Sequence, residues 1–565
     1  VLARLSALGR NFAIYGLGDV ATNIVSFLLL PLYTRFLTPA DYGAISLLLS
    51  VEVVAKIVFR CGLDASFMRL FYDCETDADR QRLASTIFWF LTASNGVILA
   101  LLLVAAPFVS SHLFGVPGYT LALVLQLLYT FVVGFYFIPF HVMRMEGQSR
   151  RFSTLTTTRA TATLVTRLVL IVGFGLGVLG FVLADVIVGI VFTGILARWF
   201  RPLLRFTFSR AVLDQALRFG LPRLPHGVAQ QVMAVGDRYI LRLFGTLAEV
   251  GVYSIGASFG LALKLALSAF EYAWAPFYYE TMKEPDAKQT FTLVTTYGIG
   301  VLVLLEAGLA AIAPEVVRLM TTREFYDSAA VIPWIGLGVV FNGVYLLTSI
   351  GLNITKSTKY YPVATAIAAG TSVGGNLVLV PRYGAMGAAW ANATAYAVLA
   401  IVAMRFSQRV YPVTYEWGRL ARLAIAGGGA FAIAWAVPAG MPAWLGLLVR
   451  GSIVVAAYPL LLVALGFYDR RELAFVGKIV TRARRRQSAA PGAGVALSVS
   501  VTHDETVESA GAIVEVPLAQ DEDFPVASGV SPRSGTSETP TRRGDAGAAD
   551  AAASRGDGSG GSGGR

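Results

Sequence analysis

Apolar runs long enough to cross a bilayer follow one another along most of this chain, separated by short polar connections. Inside hydrocarbon every backbone N–H and C=O must find a partner within the protein, which leaves helices or a closed barrel. The runs reach about 20 residues without period-2 alternation, so they select helices. They fall at 15–36, 42–71, 83–109, 119–143, 152–174, 178–200, 219–244, 250–282, 291–313, 329–354, 360–380, 385–406, 421–437 and 444–467. The fold class is therefore an all-α polytopic membrane protein of about fourteen transmembrane helices. Composition agrees: 55% of residues are hydrophobic and 14% charged, more apolar surface than soluble cores of this size hide.

The net charge of +11 does not point to nucleic acid, because no basic soluble domain with interleaved aromatics is present. Its distribution follows the membrane instead. Arg80 and Arg82, Arg150 and Arg151, Arg198 to Arg210, Lys283 and Lys288, Lys356 and Lys359, and Arg482 to Arg486 fall on alternate connections. The positive-inside rule then puts both termini in the cytoplasm. No cleavable signal peptide stands out. Cys61 and Cys74 cannot make a disulfide framework or a zinc site by themselves. From residue 483 the chain becomes rich in Ala, Gly, Ser and Pro without sustained periodicity, and 483–565 reads as a disordered cytoplasmic tail.

An internal repeat organises the rest. YTRFLTPADYGAISL from Tyr33 matches ILRLFGTLAEVGVYSI from Ile240, and MRMEGQSRRFSTLTTTRATATLVTRLVLI from Met143 matches NITKSTKYYPVATAIAAGTSVGGNLVLV from Asn353. In the second match Arg167 meets Asn376. The offset is six helices, so two six-helix lobes, 1–205 and 206–410, share one membrane orientation around a central cavity, with two further helices in 411–482.

Ionisable residues at membrane depth are costly, at least about 2.5–3.5 kcal/mol each, and so mark candidate sites. The second span, VEVVAKIVFRCGLDASFMRLF, carries Glu52, Lys56, Arg60 and Asp64 at every fourth position, a ladder on one helical face. Glu52 with Lys56 and Arg60 with Asp64 are local pairs by this spacing, and Arg69 lies a turn beyond. Self-neutralised struts would look the same. Glu52 and Lys56 suit gating; Arg60 and Asp64 suit first contact with an anion, beside Arg167 and across from Arg223 and Lys264.

The fifth span, TLTTTRATATLVTR, adds Arg159 and Arg167 with no acid nearby in sequence. Guanidinium matches phosphate well, so an anionic ligand is expected; Arg159 can instead snorkel to headgroups. The seventh opens on GLPRLPHGVAQQ and continues to AVGDRY, giving Arg223, Gln230 and Asp237 as cavity candidates, with Arg238 left to a structural role. Lys264 and Glu271 share a face in the eighth. Asp185 and Glu306 are isolated acids, either coupling-ion candidates or helix-pairing groups. No Walker A or HExxH pattern, no GxSxG in a strand context and no long catalytic loop is present, so the chain reads as a secondary transporter without a cofactor, with H+ or Na+ as the candidate coupling ion.

The segments GLGDVATNIVSFLLLPLYTRFLTPADYGAISL, GLDASFMRLFYD, GLPRLPHGVA, DRYILRLFGTLAEVGVYSIG and TKSTKYYPVATAIAAGTSVGGNLVLVPRYGAMGAAWA resemble the polysaccharide-export, Wzx-like branch of the superfamily that also holds MATE exporters and lipid II flippases. The resemblance implies a flippase in a bacterial cytoplasmic membrane. It would turn a polyprenyl-diphosphate-linked glycan from the inner to the outer leaflet by alternating access, as a monomer among membrane lipids and other polysaccharide-assembly proteins. A lipid II flippase, a MATE-like ion-coupled exporter and a transport-inactive membrane scaffold stay open as alternatives.

Overall fold

The computed structural model describes residues 27, 29–438 and 440–468, all within one compact unit. The expectations for most of the first span and for the tail lie outside the described residues. In chain order the helices are α1 (Leu30–Phe36), α2 (Pro39–Arg60), α3 (Leu63–Phe71), α4 (Asp77–Phe114), α5 (Thr120–Val133), α6 (Phe137–Met145), α7 (Ser149–Leu168), α8 (Gly177–Phe200), α9 (Arg210–Gly220), α10 (Leu224–Phe244), α11 (Leu247–Thr281), α12 (Ala287–Met320), α13 (Ile332–Thr348), α14 (Ile350–Ile354), α15 (Tyr360–Val410), α16 (Trp417–Trp435) and α17 (Ala443–Ala464). A π turn, Val169–Gly173, prolongs α7. There is no strand among the described residues.

Ten helices among the described residues are long and apolar enough to cross a membrane, so the count of fourteen is not reproduced as such. Most of the first span lies outside the described residues; the other differences have physical causes. Helix α10 carries His226, Asp237, Arg238 and Arg242, and α16 carries Arg419 and Arg422, which lower their apolar character. The spans read at 360–380 and 385–406 are joined in α15 through Gly384, whose φ of 54° and ψ of −132° interrupt the helix.

The second span also departs from expectation. Cys61 and Gly62 are both left-handed, with φ of 47° and 69°, so α2 ends at Arg60 and α3 sets off separately. A Cβ on Gly62 would run into the carbonyl of Gly220, and Ser66 Oγ donates to the Ala216 carbonyl at 2.6 Å. The break thus turns α3 onto α9, the helix that leads into α10. The ladder does not climb one continuous face.

The repeat is visible where α2 meets α11. Both start with a capping box, Thr38 with Asp41 and Thr246 with Glu249, each hydroxyl accepting the N3 amide while the N3 carboxylate reaches back. A Cβ on Gly43 would strike the Leu247 carbonyl, and one on Gly251 the Pro39 carbonyl. One turn on, Ser46 and Ser254 hydroxyls bond to each other at 2.7 Å across 208 positions of chain. The same interval separates Pro39 from Leu247 and Gly43 from Gly251, so the contact is self-complementary, as a two-fold relation between the halves requires. The backbones touch because small residues line both sides.

The last two helices dock on α12. Tyr458 of α17 donates to the Gly300 carbonyl at 2.9 Å, and Arg450 pairs with Glu315 at 3.1 Å with both side chains 7% exposed. Leu423, Ala426, Ala430 and Val454 fill the apolar contact between them.

Candidate functional site: polar cavities between the helices

Three polar cavities lie among the described helices. The first, about 340 Å³, opens between α2, the α3 start and α10; Lys56, Arg60, Gly62 and Asp64 face Leu224, Gly227 and Gln231. The second, about 300 Å³, lies where α2 and α11 diverge and is lined by Ser46, Ser50, Arg167, Phe181, Arg238 and Ser254. The third, about 180 Å³, holds Asp237, Arg238, Tyr253, Lys264, Asn342 and Asn392.

In the first cavity the ladder divides into unequal pairs. Glu52 is 8% exposed, paired with Lys56, and accepts from Gln126 Nε2 of α5 at 2.8 Å. That carboxylate is committed to holding α2 on α5. Arg60 and Asp64 are 3.7 Å apart, with side chains 31% and 37% exposed. Asp64 Oδ1 also accepts the Ala65 amide at 2.9 Å, inside the first turn of α3. Arg60 Nε is buried without a hydrogen-bond partner, and its guanidinium lies 5.8 Å from the Phe137 ring centre. A guanidinium has five N–H donors, so Arg60 keeps most of its bonding capacity for something else. Gly227, with nothing within 4 Å of where a Cβ would stand, leaves room for a ligand to approach backbone. Arg69 is outside this arrangement, paired with Asp73 on the surface.

The second cavity corrects two expectations. Arg167 is not free of acids: its Nη2 donates to both carboxylate oxygens of Asp185 at 2.8 Å, and its guanidinium stacks 3.6 Å from the Phe181 ring centre. Asp185 is correspondingly no isolated acid, and is 2% exposed. Arg238 likewise pairs with Asp237 at 3.2 Å, although the two are neighbours in sequence. Adjacent Cβ atoms diverge on a helix, but the long arginine side chain bends back. Arg238 Nε also donates to Ser46 Oγ at 3.1 Å, bridging α10 to α2. Tyr253 donates to the other Asp237 oxygen. Thus each half sends one guanidinium, neutralised by its own acid, into the space between the halves. The signal for Arg238 in the sequence is the second charge within AVGDRY.

The remaining candidates scatter. Arg60 is not beside Arg167, since they line different cavities. Lys264 lies across from Asp237 and not from the ladder, and Glu271 on the same helix is exposed. Gln231, and not exposed Gln230, lines the first cavity. Arg159 packs its guanidinium near the Tyr136 and Phe192 rings, and its Nη1 is buried without a hydrogen-bond partner. Asn376 is fully buried and donates to the Ser372 carbonyl at 2.7 Å, a packing role and not a cavity one. Glu306 rests its carboxyl on the bare backbone of Gly336, with Oε2 buried and without a hydrogen-bond partner. The Arg223 backbone forms the turn just before Leu224; its side chain lies outside the described residues. Among the described residues no group of three or more His, Cys, Asp and Glu could hold a metal.

Comparison with known proteins fits this architecture. Residues 8–282 match the sequence family described as "Polysaccharide biosynthesis protein". No curated protein sequence matches the chain. Among solved structures, the lipid II flippase MurJ in an inward closed conformation superposes with a TM-score of 0.63 at 13% identity, covering 79% of this chain and 97% of that one. An inward-facing multidrug resistance MATE transporter gives 0.57 at 17% identity over 70% and 94%. An outward-facing one gives 0.51 at 16% over 74% and 96%. At these identities the likeness establishes the fold alone, and with its many long apolar helices the chain is a multi-pass membrane protein. The amino-terminal part of the chain is thus similar in sequence to the polysaccharide biosynthesis family, and its helices are arranged as in MurJ and MATE proteins.

Proposed function

We propose that this protein is a flippase that carries a polyprenyl-diphosphate-linked oligosaccharide from the inner to the outer leaflet of the bacterial cytoplasmic membrane, for cell-surface polysaccharide assembly. The observation that carries the reading is Arg60, half-exposed in a cavity of about 340 Å³, with a loosely held acid and a buried Nε–H without an acceptor. A diphosphate supplies the missing acceptors and can bind guanidinium through two parallel bonds. Lys56, the Gly62 and Gly227 backbones and Gln231 surround it. The placement of basic connections supports a cytoplasmic location for both termini, which turns this cavity toward the cytoplasm and the α2–α11 crossing toward the outside.

On this reading the halves 1–205 and 206–410 rock about their contact. The crossing at Gly43 and Gly251 closes the outer end while the headgroup is taken up near Arg60. The Arg167–Asp185 and Arg238–Asp237 pairs then line the passage between the halves, where a passing anion competes with each acid for its arginine. Asp64 restrains Arg60 until substrate displaces it. An ion gradient of H+ or Na+, or the membrane potential, drives return.

The test is a charge-removal series, Arg60→Ala, Arg167→Ala and Arg223→Ala, scored for surface glycan at matched protein levels. Loss of export in Arg60→Ala, with lipid-linked oligosaccharide accumulating at the inner leaflet, is the expected result. Full export in all three variants overturns the site, and full export after complete removal of the protein overturns the function.

A further inference from the structure

A cavity of a different kind sits on the first half, away from the polar ones. It measures about 330 Å³, lies between α4, the α5–α6 junction and the end of α8, and shares no lining residue with the other three. Its wall is largely apolar, with Phe88, Phe131, Phe135, Tyr136 and Phe200 as its aromatic side chains. The polar atoms nearby are already satisfied by protein. Tyr136 hydroxyl donates to the Gly189 carbonyl at 2.9 Å, Thr193 Oγ1 to the same carbonyl at 2.7 Å, and Thr92 Oγ1 to the Phe88 carbonyl at 2.8 Å. Nothing in such a wall invites water, and apolar cavities of about 150 Å³ already take up benzene. The space is more than twice that and suits a flexible hydrocarbon chain.

One lining residue is charged. Arg201, at the end of α8, is exposed and has no hydrogen-bond or ion-pair partner for its side chain among the described residues. Arg198 and Arg205 flank it in sequence, so the mouth lies within a basic connection. An aromatic slot in a membrane protein with an unneutralised guanidinium at its rim is complementary to one kind of molecule, an anion that carries a hydrocarbon tail.

We propose that this cavity is a binding site for an anionic phospholipid of the surrounding bilayer, one acyl chain lodged among Phe88, Phe131, Phe135 and Phe200 and the phosphate held by Arg201. Because its walls are separate from the polar cavities, the bound lipid is a resident of the first half and not the translocated molecule. It stiffens the break between α5 and α6, where Tyr136 ties this junction to α8. The site stands whether or not the protein is a flippase.

The experiment is native mass spectrometry of the full chain released from nanodiscs of phosphatidylglycerol and phosphatidylethanolamine in equal amounts. Wild type should keep one phosphatidylglycerol in preference to phosphatidylethanolamine. Arg201→Gln, at an exposed position, should lower that preference by roughly fivefold, the effect of one basic side chain near a bilayer surface. Ala197→Trp, also exposed and aimed at filling the slot, should remove the adduct while the protein stays monodisperse. Equal retention of both lipids by wild type, an unchanged adduct in either variant, or a polyprenyl phosphate in place of phospholipid when native membranes are the source would overturn the proposal.

Discussion

Arg60 and Arg167 show how much a single residue's meaning depends on what folds against it. Both are guanidinium groups in apolar stretches, and by sequence both invite an anion. Arg167 meets Asp185 from the next helix, a contact between residues too far apart for helical spacing to reveal. A buried pair of this kind contributes little over an apolar replacement, but breaking it strands a charge at a cost of about 3–5 kcal/mol. Asp185→Ala should therefore reduce the amount of folded protein in detergent thermal-unfolding measurements, and Arg167→Met with Asp185→Leu should restore it. If the double variant folds and still exports glycan, the pair is a strut; if it folds without exporting, the pair takes part in passage. Arg60, with its acid at 3.7 Å, behaves differently. Asp64→Asn should leave folding unchanged and weaken coupling of transport to its driving force without reducing substrate binding.

At the level of elements, the apolar periodicity located the helices well because backbone satisfaction in lipid leaves few choices. What it could not locate were breaks inside apolar runs. The Cys61–Gly62 break looks in sequence like one more turn of a span, and becomes necessary only once Gly220 stands against Gly62. The repeat, by contrast, was legible, and it became a contact: the capping boxes at Thr38 and Thr246 start α2 and α11, and the small residues one turn on bring them together. This crossing yields a direct prediction. Ser46→Cys with Ser254→Cys, in a background with Cys61 and Cys74 replaced by Ala, should form a disulfide that stops transport, and reductant should restore it. Transport unaffected by complete crosslinking would mean that the crossing never opens. The docking of α17 predicts a stability effect instead: Glu315→Ala leaves Arg450 buried without its acid and should cost about 3–5 kcal/mol, read as lost folded protein.

For the whole molecule, the two repeats meet at the self-complementary crossing of α2 and α11, and each contributes one acid-paired arginine to the cavity beside it. Fold class follows from the sequence because it rests on long, redundant signals. The site was legible only in part, since the ladder named Arg60 and Asp64 correctly as partners while spreading the cavity over residues that the folded chain separates into three places. Long-range pairing, as in Arg167 with Asp185 or Arg238 with Ser46, is set by packing and leaves no local trace. The most direct test of the central claim uses vesicles reconstituted with the purified protein and a polyprenyl-diphosphate oligosaccharide confined to one leaflet, probed by an impermeant lectin on the other side. Lectin binding should rise with wild type, and should stay at the protein-free level with Arg60→Ala; equal binding with wild type and without protein would contradict the account.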